Sequence, residues 1–472
     1  MYLTEKNIES YYKEIQNLYL SNNNPWIIGY SGGKDSTATL QLIWDALLKI
    51  SKDKLNKEVF IVSSDTLVEI PKVLNVVDKN IEKINYVSKV QKLPFKAIKV
   101  YPDINDTFWV NLIGRGYPCP TSNFRWCTDR LKIEPINNFI LNTVNQFGEV
   151  IVVIGVRKSE SLQRKRTIEK HEIDNNLLSK HPTLPGANIY KPIVDLTDKE
   201  VWDYLLSFPS PWGGNNMELL RLYRSANAGE CPLIIDKSDK NTPSCGNSRF
   251  GCWVCTVVQN EKSLRSLVDH GNDWLKPLKE FRELLMETLN PEKKHIYRDY
   301  KRRNGTIYFL NGDEKKLGRG PYYFWFRKNL IEKLLETEVK LNKLYIEKYH
   351  YNIQNLEPIK LISDEELLEI QRIWRLEESD WEDSVDKIYY KIYGKSFHYQ
   401  TANNMVFDAE DYKLIEKLSE KNSVNPRLVT KLINYLYMNS NIFRKSKILG
   451  ELEKILNEEW RSEETILKEA GK

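Results

Sequence analysis

The sequence predicts an α/β protein with a doubly wound, mostly parallel β-sheet, which a cysteine-rich insert and a mainly helical C-terminal region follow. Short β-branched runs alternate with helical patterns over about the first 200 residues, as doubly wound sheets require. A glycine-rich loop at Ser31 lies between an apolar run and a helix in which Leu40, Ile43, Trp44 and Leu47 recur at helical spacing. Because ligands of such sheets bind at the carboxyl ends of the strands, this loop is the first candidate for a binding site.

The elements of this fold follow from their local patterns. Residues 1–24 form an amphipathic pattern that predicts a helix, with Tyr11, Ile15 and Leu18 on one face. Five short apolar runs are predicted to be strands, namely Trp26–Tyr30, Val59–Ser63, Phe95–Val100, Val150–Val156 and Ile189–Ile193.

Composition divides the chain into four predicted parts. Residues 1–214 carry the α/β pattern. Residues 215–260 are rich in Gly, Pro, Ser, Asn and Cys, which predicts an irregular insert held by a metal site rather than by a hydrophobic core. Residues 261–395 form a helical accessory region, in which a capping-box pattern at residues 363–366 opens a helix. A helical tail, residues 396–472, completes the chain.

The bulk composition excludes some classes of protein. With 41% hydrophobic and 29% charged residues, the chain is typical of a globular protein of two or three domains. No apolar run reaches the roughly 18 to 20 residues of a membrane span, and the first residues lack the order of a secretory signal. We therefore expect a cytoplasmic protein without a membrane segment.

Charge is unevenly distributed, although 70 basic and 65 acidic residues leave a net charge of only +5. The segment Pro291–Lys328, called the basic strip below, holds eleven Lys and Arg against four acids, a local charge of +7 that suits a polyanion such as DNA. The segment Ser363–Asp386 holds ten acids against two Arg, a local −8 that suits a protein partner. The alternative is that both are solvated helical faces.

The glycine-rich loop has the chemistry of a phosphate site. Two glycines allow the backbone to aim its N–H groups at an anion at the start of a helix, and Lys34, Ser36 and Thr37 can bind phosphate oxygens. The G-x-x-x-x-G-K-[ST] spacing of a Walker A loop is absent. The loop resembles the SGGKDS signature of the PP-loop ATP pyrophosphatases, which implies cleavage of ATP between its α and β phosphates with Mg²⁺. A glycine-rich turn capped by Ser36 is the alternative. The residues of the loop are Ser31, Gly32, Gly33, Lys34, Asp35, Ser36 and Thr37.

Three further segments resemble parts of the same fold, the adenine nucleotide alpha-hydrolase-like fold of the phosphoadenosine phosphosulfate (PAPS) reductase group. An Asp-Thr pair follows the second predicted strand, where related enzymes line the nucleotide pocket. A G-x-R-x-x-E-S-x-x-R pattern follows the fourth, and its arginines could clamp phosphates in a bidentate way. A P-x-x-x-x-x-D-x-x-V-W-x-Y pattern starts at Pro192. The resemblance adds six residues to the predicted ATP site: Asp65, Thr66, Gly155, Arg157, Ser161 and Arg164.

Four of the six cysteines cluster in the insert. Cys231, Cys245, Cys252 and Cys255 are separated by 13, 6 and 2 residues. Structural zinc sites usually pair two short Cys-x-x-Cys knuckles, and only one is present, so the spacing favours a [4Fe-4S] cluster over zinc or free thiols.

Cys127 is the candidate for sulfur chemistry. In the reductases that the chain resembles, a Cys-Cys pair at this position helps to ligate the cluster, whereas this chain has a single cysteine. Two interpretations stay open: a persulfide carrier near the nucleotide, or an alternative cluster ligand replacing Cys231. Cys119, after Pro118, is more typical of a structural residue.

Several stretches together resemble the DndC family, the PP-loop proteins of bacterial DNA phosphorothioation systems. These are the loop at Ser31, residues 64–71, 124–135, 249–257 and 320–328, so the resemblance covers roughly residues 5–390. It implies a sulfurtransferase that uses Lys34, Asp35 and Cys127 to replace a non-bridging oxygen of the DNA backbone with sulfur. The implied partners are DNA, a cysteine desulfurase as sulfur donor and the other proteins of the phosphorothioation system.

Other functions are compatible with the same motifs. Related PP-loop proteins thiolate tRNA bases, and true PAPS reduction would release sulfite rather than pyrophosphate. A non-catalytic scaffold that binds nucleotide and DNA is a further alternative, but it has no chemical need for Lys34, Asp35 and four clustered cysteines.

Overall fold

The computed structural model describes residues 5–170, 176–226, 251–259, 262–310, 313–350, 357–396, 407–439 and 445–470. The chain forms two compact units. The first consists of residues 1–103 and 120–275, and the second of residues 104–119 and 276–472. The four-part division by composition stays a prediction.

A six-stranded sheet organises the first unit, in the order β3-β2-β1-β4-β6-β5. All neighbouring strands are parallel except β5, which runs antiparallel to β6 at one edge. This confirms the predicted mostly parallel sheet. Strands β4 and β6 end earlier than the predicted runs, and β5 was not predicted. The strands are β1 (Trp26–Gly29), β2 (Val59–Ser64), β3 (Phe95–Val100), β4 (Val150–Val153), β5 (Leu178–Lys180) and β6 (Ala187–Tyr190).

Helices cover both faces of this sheet, because alternate residues of the central strand point to opposite sides. Trp26 and Ile28 of β1 join a core with α1, α2 and α7, whereas Ile27 joins a second core with Ile140 of α5 and Ile168 of α6. The helices of this unit are α1 (Glu5–Leu20), α2 (Lys34–Leu48), α3 (Pro71–Val90), α4 (Trp126–Thr128), α5 (Glu134–Phe147), α6 (Leu162–Lys170), α7 (Asp198–Ser207), α8 (Asn216–Ala226) and α9 (Lys262–Asp269).

Two local features of the first unit matter for the site. A π-helix, Asp129–Ile133, links α4 to α5, and short 3-10 turns occur at Lys52–Lys54, Lys158–Glu160 and Asp273–Leu275. The presence of α8 corrects the expectation of irregular structure from residue 215, because residues 216–226 are helical. The apolar positions Leu219, Leu220 and Tyr223 that support this helix are diluted by polar neighbours in the sequence.

The second unit is mainly helical, as predicted. Leu330 and Leu334 of α12 and Ile370 and Trp374 of α13 are fully buried. Ser363 caps α13 by accepting the Glu366 N–H at 3.1 Å, which confirms the capping box. The helices are α10 (Lys276–Glu287), α11 (Lys294–Tyr297), α12 (Phe324–Tyr349), α13 (Asp364–Glu377), α14 (Ser384–Tyr393), α15 (Ala409–Lys421), α16 (Pro426–Met438), α17 (Lys445–Leu456) and α18 (Glu463–Ala470), with a 3-10 turn at Ile104–Asp106, a π-helix at Val110–Gly114 and two antiparallel strands, β7 (Phe309–Leu310) and β8 (Asp313–Leu317).

Among the described residues, no helix is both long enough and apolar enough to cross a membrane.

Candidate functional site

The loop between β1 and α2, residues 31–37, is called the phosphate loop below, and its backbone is shaped to receive an anion. Gly32 has φ +70°, a left-handed conformation that side chains rarely adopt, and Gly33 is the N-cap of α2 without a side-chain cap. The hydroxyls of Ser31 and Ser36 lie 3.1 Å apart, and Ser36 donates to the Gly33 carbonyl at 3.0 Å. Since no side chain caps the helix at Gly33, the start of α2 can offer its N–H groups and its dipole to a phosphate.

A tyrosine that the sequence analysis did not single out contacts this loop. The backbone N–H of Lys34 donates to the hydroxyl of Tyr223 on α8 at 3.0 Å. A Cβ on Gly33 would lie 3.1 Å from the same oxygen, so only glycine fits comfortably there. The Tyr223 ring meets Trp202 edge to face at 5.0 Å and lies 5.4 Å from the Lys34 ammonium. Tyr223 therefore occupies a donor that a phosphate could otherwise use.

Four charged side chains form a balanced cluster beside the loop. The Lys34 ammonium lies 3.3 Å from Asp35 and 3.1 Å from Asp198. Arg157, only 1% exposed, donates to Asp35 at 2.7 Å and to Asp198 at 3.1 Å. Buried charges of this kind are tolerated only when they are paired. Arg157 thus binds the two carboxylates that also contact Lys34. Phosphate binding by Arg157 itself stays a prediction.

Gly155 lies where the residues after β4 approach the first turn of α2. A Cβ at this position would lie 2.7 Å from Thr39 Oγ1 and 2.8 Å from the Asp35 carbonyl, distances that real Cβ atoms do not show. The glycine of this motif is therefore required for packing against the phosphate loop. Farther along, Ser161 Oγ accepts the Arg164 N–H at 3.1 Å, and the Arg164 side chain pairs with Glu160. Phosphate contacts by Ser161 and Arg164 stay predictions.

The Asp-Thr pair after β2 is held rigidly. Asp65 accepts the Leu67 N–H at 2.9 Å and the Lys99 ammonium at 2.9 Å. The tight turn gives Leu67 a φ of 63°. Thr66 is fully buried, and its hydroxyl lies 3.3 Å from the sulfur of Cys252. The structure therefore joins the predicted nucleotide pocket to one of the predicted cluster cysteines.

The Cys252–Cys255 segment is anchored along the residues that follow β2. The Trp253 N–H donates to the Val68 carbonyl at 3.1 Å, and the Cys255 N–H donates to the Cys252 carbonyl at 3.0 Å, which closes a tight turn. Burial raises the pKa of the Cys252 thiol to about 12, while the positive charge of Lys132 opposes that rise. Burial also raises the pKa of the Glu69 carboxyl beside it to about 7.

The helix that carries Cys127 leads into a segment that is fixed to the end of β2. Cys127 lies in α4, and the following π-helix is fixed because the Ser64 hydroxyl at the end of β2 donates to the Leu131 carbonyl at 2.9 Å. Cys127 is partly buried and is not part of a disulfide. The sequence did not indicate this attachment, because the π-helix Asp129–Ile133 has no pattern of its own.

The residues present are compatible with a soft metal centre. Cys252 and Cys255 are partly buried cysteines in one turn and are not joined in a disulfide, so they offer the sulfur donors that iron-sulfur clusters and zinc require. In the part of the chain that the structure describes, three or more ligand side chains do not gather at one point. Cys231 and Cys245 lie outside the described residues, so the predicted four-cysteine set stays a prediction.

The fold and the loop together have the architecture of a PP-loop-like α/β fold, with a glycine-rich loop between a parallel strand and a helix. Residues 25–258 match the family model described as the phosphoadenosine phosphosulfate reductase domain, which is just under half of the chain. The matched segment includes the loop at Ser31, the Asp-Thr pair, Arg157, Cys127 and the Cys252–Cys255 turn.

The individual proteins that resemble this chain share less than 30% of its residues. An uncharacterized protein of Methanocaldococcus jannaschii is 26% identical over 274 residues, which is 57% of this chain and only 44% of the length of that relative. The phosphate complex of PAPS reductase from Candida auris is 18% identical, with 47% of this chain and 93% of that chain covered and a TM-score of 0.29. The U34-tRNA thiolase NcsA from Methanococcus maripaludis, solved with its [4Fe-4S] cluster, is 16% identical, with coverage of 60% and 80% and a TM-score of 0.28.

Proposed function

We propose that this chain is a sulfurtransferase that cleaves ATP to AMP and pyrophosphate in order to modify a DNA backbone phosphate. The observation that supports it most is the phosphate loop, in which a left-handed Gly32 and an uncapped α2 lie beside a Lys34 held by two carboxylates. The choice of DNA as the acceptor is supported by the resemblance of the motifs to the DNA phosphorothioation family.

The proposed first step activates the acceptor. A non-bridging phosphodiester oxygen is a very poor leaving group, so it attacks the α-phosphorus of ATP and pyrophosphate departs. The N–H groups at the start of α2 and the Lys34 ammonium stabilise the negative charge that develops on the departing pyrophosphate. Bound Mg²⁺ would neutralise part of the triphosphate charge. The product is a mixed anhydride in which that oxygen now leaves as part of AMP.

The proposed second step delivers sulfur. A cysteine desulfurase supplies the sulfur as a persulfide on Cys127, whose terminal sulfur attacks the activated phosphorus and expels AMP. A second thiol then attacks the Cys127 sulfur and forms a disulfide with it, which breaks the sulfur–sulfur bond and releases the phosphorothioate. If Cys252, Cys255 and further cysteines hold a [4Fe-4S] cluster, it would supply a soft iron site beside the nucleotide. In the second interpretation Cys127 is a cluster ligand, and the Cys127→Ser variant distinguishes the two roles.

The nucleotide reaction is tested directly with purified protein, ATP and Mg²⁺. We expect release of AMP and pyrophosphate, and loss of most of this activity in Lys34→Ala. Lys49→Ala is the matched control, because Lys49 lies just after the same helix with a half-exposed ammonium and should retain activity. Release of ADP and phosphate by the parent protein would contradict the assignment of the cleaved bond.

The acceptor is tested in cells with and without this chain, by mass spectrometry of DNA for phosphorothioate dinucleotides. Thiolated tRNA bases, or sulfite formed from PAPS, would replace the DNA assignment with one of the alternatives. Cys127→Ser separates the two roles of that cysteine. Retained iron with loss of DNA sulfur would identify a sulfur carrier, whereas loss of iron would identify a ligand.

A further inference from the structure

A cavity of about 480 Å³ lies within the second unit. Part of the basic strip lines it on one side, and α16 together with residues 455–460 lines it on the other. The sequence offered no motif in the tail that supplies this second wall. The volume falls in the range of about 300 to 1,000 Å³ that is usual for small-molecule sites.

The lining of the cavity has an excess of positive charge. Seven Lys and Arg line it against four Asp and Glu. Glu377 pairs with Arg303, Glu458 pairs with Lys431, and Glu378 pairs with Arg327 and, at 3.8 Å, with Arg427. The lining as a whole keeps an excess of three positive charges. The cavity therefore favours a ligand with more than one negative charge.

A buried donor in this lining has no acceptor among the described residues. Arg327 is only 3% exposed, and its two terminal nitrogens bond to the Gly114 carbonyl and to Glu378. Its Nε has no hydrogen-bond partner. A buried donor without an acceptor costs free energy, so the Arg327 side chain beside this cavity is not fully satisfied by the described residues.

The remaining lining is flat and partly apolar. Trp460 and Tyr435 are half-buried rings on the side formed by the tail, with Met438 beside them. The Trp460 indole N–H already donates to the Ile455 carbonyl at 2.9 Å, and the Lys301 ammonium lies over the ring, 5.1 Å from its centroid, so the opposite ring face is what Trp460 can offer a ligand. Arg302 is held 4.1 Å over the Tyr308 ring, which fixes its guanidinium. Rings and guanidinium groups are the usual platforms for a nucleobase.

We propose that this cavity binds a nucleoside phosphate, with the phosphate at the arginines and the base against Trp460 and Tyr435. The source is either a free nucleotide or one nucleotide of a single strand, which share this chemistry. The site does not rest on the ATP chemistry proposed above, because all of its residues belong to the second unit and the phosphate loop belongs to the first.

Binding is measured on the full chain carrying Lys34→Ala, so that the phosphate loop contributes little. The probes are thymidine monophosphate, an oligothymidylate of five nucleotides and inorganic phosphate. We expect the nucleotide, the strand or both to bind more tightly than inorganic phosphate. Arg302→Gln with Arg427→Gln should weaken that binding at least about ten-fold, since each replacement removes a charge-assisted contact.

The control carries Lys413→Gln and Lys417→Gln, two exposed charges of α15 outside the cavity, and should bind like its parent. A variant with Arg302→Gln and Arg427→Lys keeps the charge at residue 427 and should bind more tightly than the variant with Arg302→Gln and Arg427→Gln. This comparison separates loss of binding from loss of folding. Equal affinities of the variant with Arg302→Gln and Arg427→Gln and of the control, or a preference for inorganic phosphate, would overturn the proposal. Binding of the mononucleotide identifies a free nucleotide, and binding of the strand alone identifies a nucleic acid. Pyrophosphate release is assayed separately with Lys34 intact.

Discussion

Asp35 and Asp198 each contact both Lys34 and Arg157, so the charge of one side chain cannot be removed without leaving another uncompensated. Arg157 is almost fully buried, and removing a partner from such a group usually costs more than the pair itself contributes. The cluster therefore fixes the position of the Lys34 ammonium before any nucleotide binds. This preorganisation is what an electrostatic role in phosphate chemistry requires.

Tyr223 leads to a prediction about nucleotide affinity. Its hydroxyl accepts the Lys34 N–H, so a phosphate must displace it in order to use that donor. Tyr223→Phe keeps the ring contacts with Trp202 and removes the competing oxygen. We expect the KM for ATP to fall about two- to ten-fold, the value of one ordinary hydrogen bond, with little change in kcat for pyrophosphate release.

The matched control is Tyr86→Phe, because Tyr86 is a largely exposed tyrosine of α3 and its hydroxyl should not affect the reaction. A higher KM in Tyr223→Phe would mean that the hydroxyl binds ATP itself, and would contradict the displacement argument.

The sequence indicated the site residues that belong to a motif, and it did not indicate residues that reach the site only through the fold. Lys34, Asp35 and Gly155 were found because strand, loop and helix occur in register along the chain. Tyr223 was missed because it lies about 190 residues from Lys34 and has no motif around it. Arg157 was found, but its pairing with carboxylates depends on a contact across 122 residues of sequence.

Among the elements, helices α1, α2 and α7 meet around one partly buried acid, Asp45 of α2. The hydroxyls of Tyr12 and Tyr204 donate to Asp45 at 3.4 and 3.3 Å. Burial raises the pKa of Asp45 to about 6, although these hydrogen bonds and Lys49 oppose the rise. Since the folded protein holds this proton up to about pH 6 and the unfolded chain loses it near its ordinary value, Asp45 lowers stability as pH rises through that window.

We therefore predict that Asp45→Asn stabilises the protein at pH 8 and has little effect near pH 4. Asparagine keeps an oxygen for both tyrosines and cannot ionise. The expected gain in the free energy of unfolding at pH 8 is about 1 to 3 kcal/mol, from a shift of roughly two pKa units reduced for partial exposure.

Urea unfolding at the two pH values measures this difference, with Asp269→Asn as the control because Asp269 is an exposed acid of α9. A constant effect of Asp45→Asn at both pH values would show that ionisation of Asp45 is not its cause.

Most elements could be predicted from periodicity, and the exceptions have physical reasons. The central strands β1, β2 and β4 carry nearly continuous apolar runs, because both of their faces are buried. Strand β5 has only three residues, Leu178–Lys180, and its pairing at the edge of the sheet comes from β6 rather than from its own pattern. Helix α8 was missed because the composition of residues 215–260 is dominated by the Gly, Pro and Cys residues that follow this helix.

For the whole molecule, the basic strip is less available to a polyanion than its local charge suggests. Arg298 donates to the carbonyls of Gly320 and Arg319 at 2.8 and 2.6 Å, and Lys301 donates to the Glu459 carbonyl at 3.1 Å. DNA binding by the strip stays a prediction, and these two residues are poor choices for testing it because they support the fold. Arg302 is a better choice, since its guanidinium lies over the Tyr308 ring and makes no contact of this kind with the backbone of the described residues.

The strip is joined to residues 459–463 near the end of the chain. Arg319 forms a two-pronged pair with Glu463 at 2.6 and 3.0 Å, and the Glu459 N–H donates to the Gly305 carbonyl at 2.9 Å. We predict that a double-mutant cycle of Arg319→Gln and Glu463→Gln gives a coupling free energy of about 1 to 2 kcal/mol, because the pair is bidentate and partly buried.

The cycle is measured by urea unfolding. The exposed Arg265–Asp269 pair, 3.9 Å apart on α9, is the reference and should couple by less than about 0.5 kcal/mol. Equal coupling of the two pairs would mean that Glu463 does not hold the strip in place.

This attachment also bears on how the protein is made. The strip leaves the ribosome well before its partners, since Glu459 follows Lys301 by more than 150 residues. At roughly 5 to 20 residues per second, Lys301, Gly305 and Arg319 wait on the order of 10 to 30 s for the segment that completes their hydrogen bonds. Until then the second unit cannot finish folding. A message cut short before the codon for Glu459 would therefore yield a product that cellular proteases can distinguish from the mature protein.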